Sequence, residues 1–164
     1  MMFAPQTLEL AERLIAECRS RGLRIGTVES CTGGLIAGAI TAVSGSSDVL
    51  ECGFVTYSNE AKTRYAGVPS GLFLNVGAVS EDVARAMSEG VLAQTNLDAA
   101  VAVTGIAGPG GGTPQKPVGL VHIAAARRGF ATLRERHVFP GDRDAVRSAS
   151  VDTALRMLAD LVTR

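Results

Sequence analysis

The sequence predicts an α/β fold: a single three-layer domain with a mixed, largely parallel sheet flanked by helices. Amphipathic helical stripes alternate with short apolar runs along the chain. One run, Ala-Ala-Val-Ala-Val-Thr at residues 99–104, is apolar on both faces, as a strand covered by helices on each side must be. With 164 residues, no internal repeat and no interdomain linker, one domain spanning residues 1–164 is predicted, long enough to bury a core.

The elements follow in order. Over residues 7–21, Leu8, Ala11, Leu14, Ile15 and Cys18 form a helical stripe that Gly22 is placed to stop. Residues 23–29 read as a strand, 30–34 as a turn and 35–43 as a helix. Ser44-Gly45-Ser46-Ser47 breaks the pattern before a second strand at 51–57. Ser58 suits the N-cap of a short helix that holds Lys62. Residues 69–77 read as loop. Ser80 caps a helix running to about Thr95, with Glu81 and Asp82 at its positive end. The strand at 99–104 leads into five glycines within residues 105–112. Residues 118–127 and 131–139 form a strand pair turning at Arg128 and Gly129. Asp142 caps the last helix, whose stripe runs through Val146, Ala149, Leu155, Leu158 and Val162.

Composition narrows the function. Apolar residues are 46% and charged residues 20% of the chain, and sixteen basic side chains balance sixteen acidic ones. That balance argues against nucleic acid as a partner. The three cysteines, Cys18, Cys31 and Cys52, match no zinc or redox spacing and suit a reducing compartment. Neither a signal-peptide pattern nor an apolar run near the ~20 residues of a membrane span is present, so a cytoplasmic protein with no membrane partner is expected.

Four groups of residues carry chemistry. Ser30-Cys31-Thr32-Gly33-Gly34 lies between a strand and a helix, where backbone N–H groups and the helix dipole suit a phosphate; the other reading is a plain turn. Thr104 and Gly105 open the glycine-rich loop, which is either a close approach to a ligand or a mobile connection. Tyr57, Lys62, Ser46 and Ser47 include the ingredients of a serine activated by a lysine; otherwise Lys62 is a solvated helical lysine and the serines are caps. A base at Lys62 needs a lowered pKa. A seven-residue strand of about 23 Å separates Ser47 from the helix of Lys62, so the two meet only if the chain folds back or a second subunit supplies one of them. Arg143 and Arg147 share a helix face and either grip phosphate or pair with nearby aspartates. His122 and His137 have the spacing of neither a triad nor a metal site and read as structural.

Several blocks together carry a resemblance. Val28-Glu29-Ser30-Cys31-Thr32-Gly33-Gly34, Gly45-Ser46-Ser47, Gly53-Phe54-Val55-Thr56-Tyr57-Ser58-Asn59-Glu60-Ala61-Lys62 and Gly77-Ala78-Val79-Ser80 are similar to the CinA C-terminal domain family. So are Val103-Thr104-Gly105-Ile106-Ala107-Gly108-Pro109, Lys116-Pro117-Val118-Gly119 and Gly141-Asp142-Arg143, all in order over residues 25–150. The chain resembles the family's stand-alone form. That resemblance implies an amidohydrolase converting nicotinamide mononucleotide and water to nicotinic acid mononucleotide and ammonia, in pyridine nucleotide (NAD) recycling. It implies a Ser/Lys dyad with no metal and no cofactor. Carried over by motif, Ser47 is the nucleophile, Lys62 the base and Tyr57 an assistant. Ser30, Thr32, Gly33, Gly34, Ser46, Thr104, Gly105 and Arg143 bind substrate. A homodimer is expected. The competing expectations are a non-catalytic nucleotide-binding or regulatory module linked to competence and DNA damage, and a different amidase on the same scaffold.

Overall fold

Apolar periodicity resolves into six helices and five strands among residues 2–164, the part that the computed structural model describes. Helix α1 (Pro5–Arg21) leads to β1 (Ile25–Glu29), α2 (Leu35–Thr41) and a 3-10 turn at Ser46–Asp48. Then come β2 (Leu50–Val55), α3 (Asn59–Ala66), α4 (Ser70–Val76) and α5 (Glu81–Gln94). The chain ends with β3 (Ala99–Gly105), β4 (Leu120–Arg127), β5 (Leu133–Val138) and α6 (Arg143–Val162). Local chemistry accounts for the boundaries. Ser58, Ser80 and Asp142 each accept the N–H three residues on, from Ala61, Val83 and Ala145, capping α3, α5 and α6.

Helix α4 corrects the loop expected at 69–77. Pro69, Gly71 and Gly77 look like turn residues, but Pro69 stands at the N-cap, where its missing N–H costs the helix nothing. Leu72, Phe73 and Val76 pack against the core cluster of α5. Tertiary packing outweighs local propensity here.

The sheet order is β2-β1-β3-β4-β5. It is mixed as predicted: β1 is parallel to β2 and β3, while β4 is antiparallel to β3 and β5. One face carries α1, α2 and α6 over Leu14, Ile36, Val103 and Leu155; the other carries α3, α4 and α5 over Val28, Met87 and Leu97. The interior strand β1 is buried throughout, and the central strand β3 is buried but for its terminal Gly105. From β1 the chain runs through α2 on one face to β2, then through α3, α4 and α5 on the other face to β3. The strand order therefore reverses between β1 and β3, and a crevice opens beyond their carboxyl ends, where open α/β sheets bind ligands. Among the described residues, no helix is long and apolar enough to cross a membrane.

Candidate active site

Five segments converge on that crevice: the turn after β1, the segment from β2 into α3, the segment before α5, the end of β3, and the start of α6. They enclose a cleft of about 240 Å³ whose walls include Ser30, Tyr57, Lys62, Thr104, Gly105 and Arg143. Ser30 stands directly beyond β1, fixed by its backbone N–H donating to the Val103 carbonyl at 3.1 Å. The Ser58 cap starts α3 so that Lys62, one turn in, points back under the end of β2.

Lys62 is the most unusual side chain in the protein. It is 1% exposed, and among the described residues no carboxylate pairs with it. Its Nζ lies 3.0 Å from Ser30 Oγ, 2.7 Å from the Thr56 carbonyl and 3.4 Å from the Tyr57 carbonyl. Burial pulls its pKa below the ordinary lysine value, because an ammonium without a counter-ion is costly away from water. A neutral amine fits this shell well. As an ammonium, Nζ donates to Ser30 Oγ and to both carbonyls; as a neutral amine it would keep the two carbonyl bonds and turn its lone pair to the serine hydroxyl.

The expected meeting of Ser47 with Lys62 does not occur within the chain. Ser47 is exposed in the 3-10 turn before β2, its carbonyl accepting from Arg24 at 3.2 Å. Lys62 lies beyond the other end of β2, and that six-residue strand puts roughly 20 Å between the two ends. Ser46 is buried in the same distant turn. Ser30, read from sequence as a substrate contact, occupies the place beside the amine.

The turn after β1 also differs from the phosphate cradle read from sequence. Gly33 and Gly34 do take positive φ angles, +59° and +101°, which only glycine adopts easily. Yet the N–H of Gly34 donates to the carboxylate of Glu29, as do those of Ile36 and Ala37. The start of α2 is thus filled by an anion from the chain itself. Thr32 is fully buried and does not line the cleft.

At the rim, Arg143 donates to the Gly108 carbonyl at 2.8 Å and to the Tyr57 hydroxyl at 3.3 Å. Both side chains are exposed and face the cleft mouth. Thr104 Oγ1 donates to the Ala78 carbonyl at 2.9 Å, tying the end of β3 to the segment before α5. Gly105 belongs where two backbones nearly touch, since a Cβ there would lie 2.9 Å from the Leu120 carbonyl. Arg147 reaches away from Arg143 to the carbonyls of Cys31 and Thr32, so the two arginines do not act as one fork.

The remaining nucleophiles and bases are ruled out by their surroundings. The Cys31 thiol also lines the cleft, but burial pushes its pKa up to about 11, leaving it protonated at neutral pH. His122 sits within β4, where burial holds it below the usual imidazole range. His137 bonds Glu135 at 2.7 Å and stacks on Phe139. Neither histidine lines the cleft.

Sequence reasoning passed over Glu29 as a structural group and over Asn59 and Val79, which line the cleft. An ionisable residue at the last position of a strand otherwise buried on both faces was the available signal for Glu29.

Known proteins are similar to this chain in sequence and in fold. The model of the CinA C-terminal domain matches residues 7–162. A CinA-like protein of Akkermansia muciniphila is 48% identical over 159 residues, covering 97% of this chain but 38% of that protein. The chain thus spans about two fifths of such longer relatives. A protein of Pseudomonas putida named nicotinamide-nucleotide amidohydrolase PncC is 51% identical over 154 residues, 94% of this chain and 96% of that one. The crystal structure of the competence/damage inducible protein CihA from Agrobacterium tumefaciens superposes with a TM-score of 0.96 at 45% identity, covering 100% of this chain and 99% of that one. The chain belongs to the CinA C-terminal domain family.

Proposed function

We propose that the protein deamidates nicotinamide mononucleotide to nicotinic acid mononucleotide, with Ser30 as nucleophile and Lys62 as general base, and so serves pyridine nucleotide recycling. The observation that carries this reading is the 3.0 Å approach of Lys62 Nζ to Ser30 Oγ, with the amine buried and without a counter-ion. Similarity to a nicotinamide-nucleotide amidohydrolase over nearly the whole of both chains supports the choice of substrate.

The reaction follows from the shell around the amine. Neutral Lys62 takes the Ser30 proton as Oγ attacks the carboxamide carbon. The tetrahedral oxyanion collapses, the C–N bond breaks, and Lys62 returns the proton to the leaving nitrogen, which departs as ammonia. Water then attacks the Ser30 ester, with Lys62 again as base, releasing the carboxylate and restoring the hydroxyl. In this reading the dyad forms within one chain, because Ser30 Oγ already stands 3.0 Å from Lys62 Nζ. A module that only bound nucleotides would gain nothing from an unpaired lysine buried against a hydroxyl, which costs stability.

The direct test mixes the protein with nicotinamide mononucleotide and measures ammonia together with nicotinic acid mononucleotide. Equal amounts of both are expected. Absence of turnover at substrate concentrations up to the millimolar range would end the assignment.

Arg143 supplies the phosphate contact in this reading. It is the exposed cation at the cleft mouth, and a guanidinium–phosphate bond contributes about 1.5–3 kcal/mol. Arg143→Ala is therefore expected to raise KM for nicotinamide mononucleotide about 10- to 100-fold with little change in kcat. Nicotinamide riboside, which lacks the phosphate, should show no such difference between native and variant. A variant that loses kcat on both substrates would place Arg143 at the chemistry instead.

A further inference from the structure

The turn that follows Ser30 is gripped from two sides by groups of opposite charge. Glu29 ends β1 fully buried, and among the described residues no basic side chain pairs with it. Its Oε2 accepts from the N–H groups of Gly34 and Ile36 at 3.0 and 3.1 Å, and its Oε1 from Ala37 at 2.9 Å. These are donors at the start of a helix, which have no partners within the helix itself. From α6, Arg147 Nε donates to the Cys31 carbonyl at 3.1 Å and its terminal nitrogen to the Thr32 carbonyl at 3.3 Å. Arg147 has no carboxylate partner among the described residues. Two charged side chains are thus committed to the backbone of one short connection.

We propose that Glu29 and Arg147 are positioning residues that hold Ser30 Oγ against Lys62 Nζ, an inference that rests on Ser30 being the nucleophile. Ser30 itself is anchored on its N-terminal side by its N–H bond to Val103. On the other side its direction depends on the turn. Glu29 fixes the far end of that turn through α2, and Arg147 fixes the two carbonyls immediately after the serine. The hydroxyl meets the amine only while both ends stay in place. A misplacement of about 1 Å is enough to cost roughly 100-fold in rate. Glu29 also satisfies the donors at the start of α2, so this pair serves geometry rather than the substrate's phosphate.

The test uses two readouts on intact protein that circular dichroism finds folded. One is the rate at which a fluorophosphonate probe labels Ser30, located by mass spectrometry; the other is kcat and KM with nicotinamide mononucleotide. Glu29→Gln places an amide NH2 against backbone donors, and Arg147→Met removes both carbonyl contacts. Each is expected to slow labelling and kcat at least about tenfold while KM stays within about twofold. Arg147→Lys keeps the charge and one donor and should recover part of the loss. If Glu29→Gln does not fold, Arg147→Met alone decides. Native labelling and kcat in folded variants overturn the positioning role and leave the dyad standing. A raised KM with native kcat and labelling overturns it too, by assigning these residues to substrate. Native protein inert to both probe and nucleotide removes the dyad, and this inference with it.

Discussion

Ser30→Ala is expected to lower kcat for nicotinamide mononucleotide by at least about 10⁴-fold, whereas Ser47→Ala keeps native kcat and KM. Removing Oγ removes the atom that forms the acyl intermediate, and the Cys31 thiol in the same cleft is held protonated by burial. What survives should be the rate enhancement from binding alone. Stability should change little, because Ser30 Oγ bonds only the amine, and alanine fills nearly the same space at a position 9% exposed. Ser47 is an exposed turn residue bonded through its carbonyl, which the substitution leaves untouched. The measurement is steady-state ammonia release by both variants at equal concentration. A dead Ser47→Ala beside an active Ser30→Ala would restore the serine chosen from the motif alone.

That contrast shows what the sequence made legible. The layers, the strand buried on both faces and the caps at Ser58, Ser80 and Asp142 were readable, because periodicity and capping chemistry are local. Helix α4 was not, since its support comes from α5 across the fold. At the site, several members of the cleft were legible one by one: Ser30, Tyr57, Lys62, Thr104 and Arg143 line it, though Asn59 and Val79 were passed over. Their pairing was not. Which serine meets Lys62 depends on strand order, because Ser30 and Lys62 lie at the carboxyl ends of neighbouring strands, while Ser47 lies at an amino end. The length of β2 already argued against Ser47; what was missing was that β1 lies between β2 and β3. The phosphate cradle failed for a different reason. Glycine positions reveal that a turn can approach an anion, but not that Glu29, immediately upstream, is the anion it holds.

Lys62 offers the sharper test of mechanism, because its charge state rather than its presence is at issue. Its folded pKa lies below the ordinary 10.5 through desolvation. kcat/KM should therefore rise with pH as the amine loses its proton, along an ascending limb whose apparent pKa falls below that of free lysine, and then level off. Linkage gives an independent reading of the same group. A lowered folded pKa means that the unfolded chain binds the proton more tightly, so stability rises with pH between the folded value and about 10.4. Lys62→Met should lack that component of the stability–pH curve. Lys62→Arg keeps a long cationic side chain but cannot give up its proton at any working pH. It is expected to lose about 10²–10⁴-fold in kcat, the range general acid–base catalysis supplies, and to lose the ascending limb as well. Combined with Ser30→Ala, neither Lys62 variant should lower the rate much further, since nucleophile and base act as one unit. A folded Lys62→Arg with native kcat would show that the amine never served as the base.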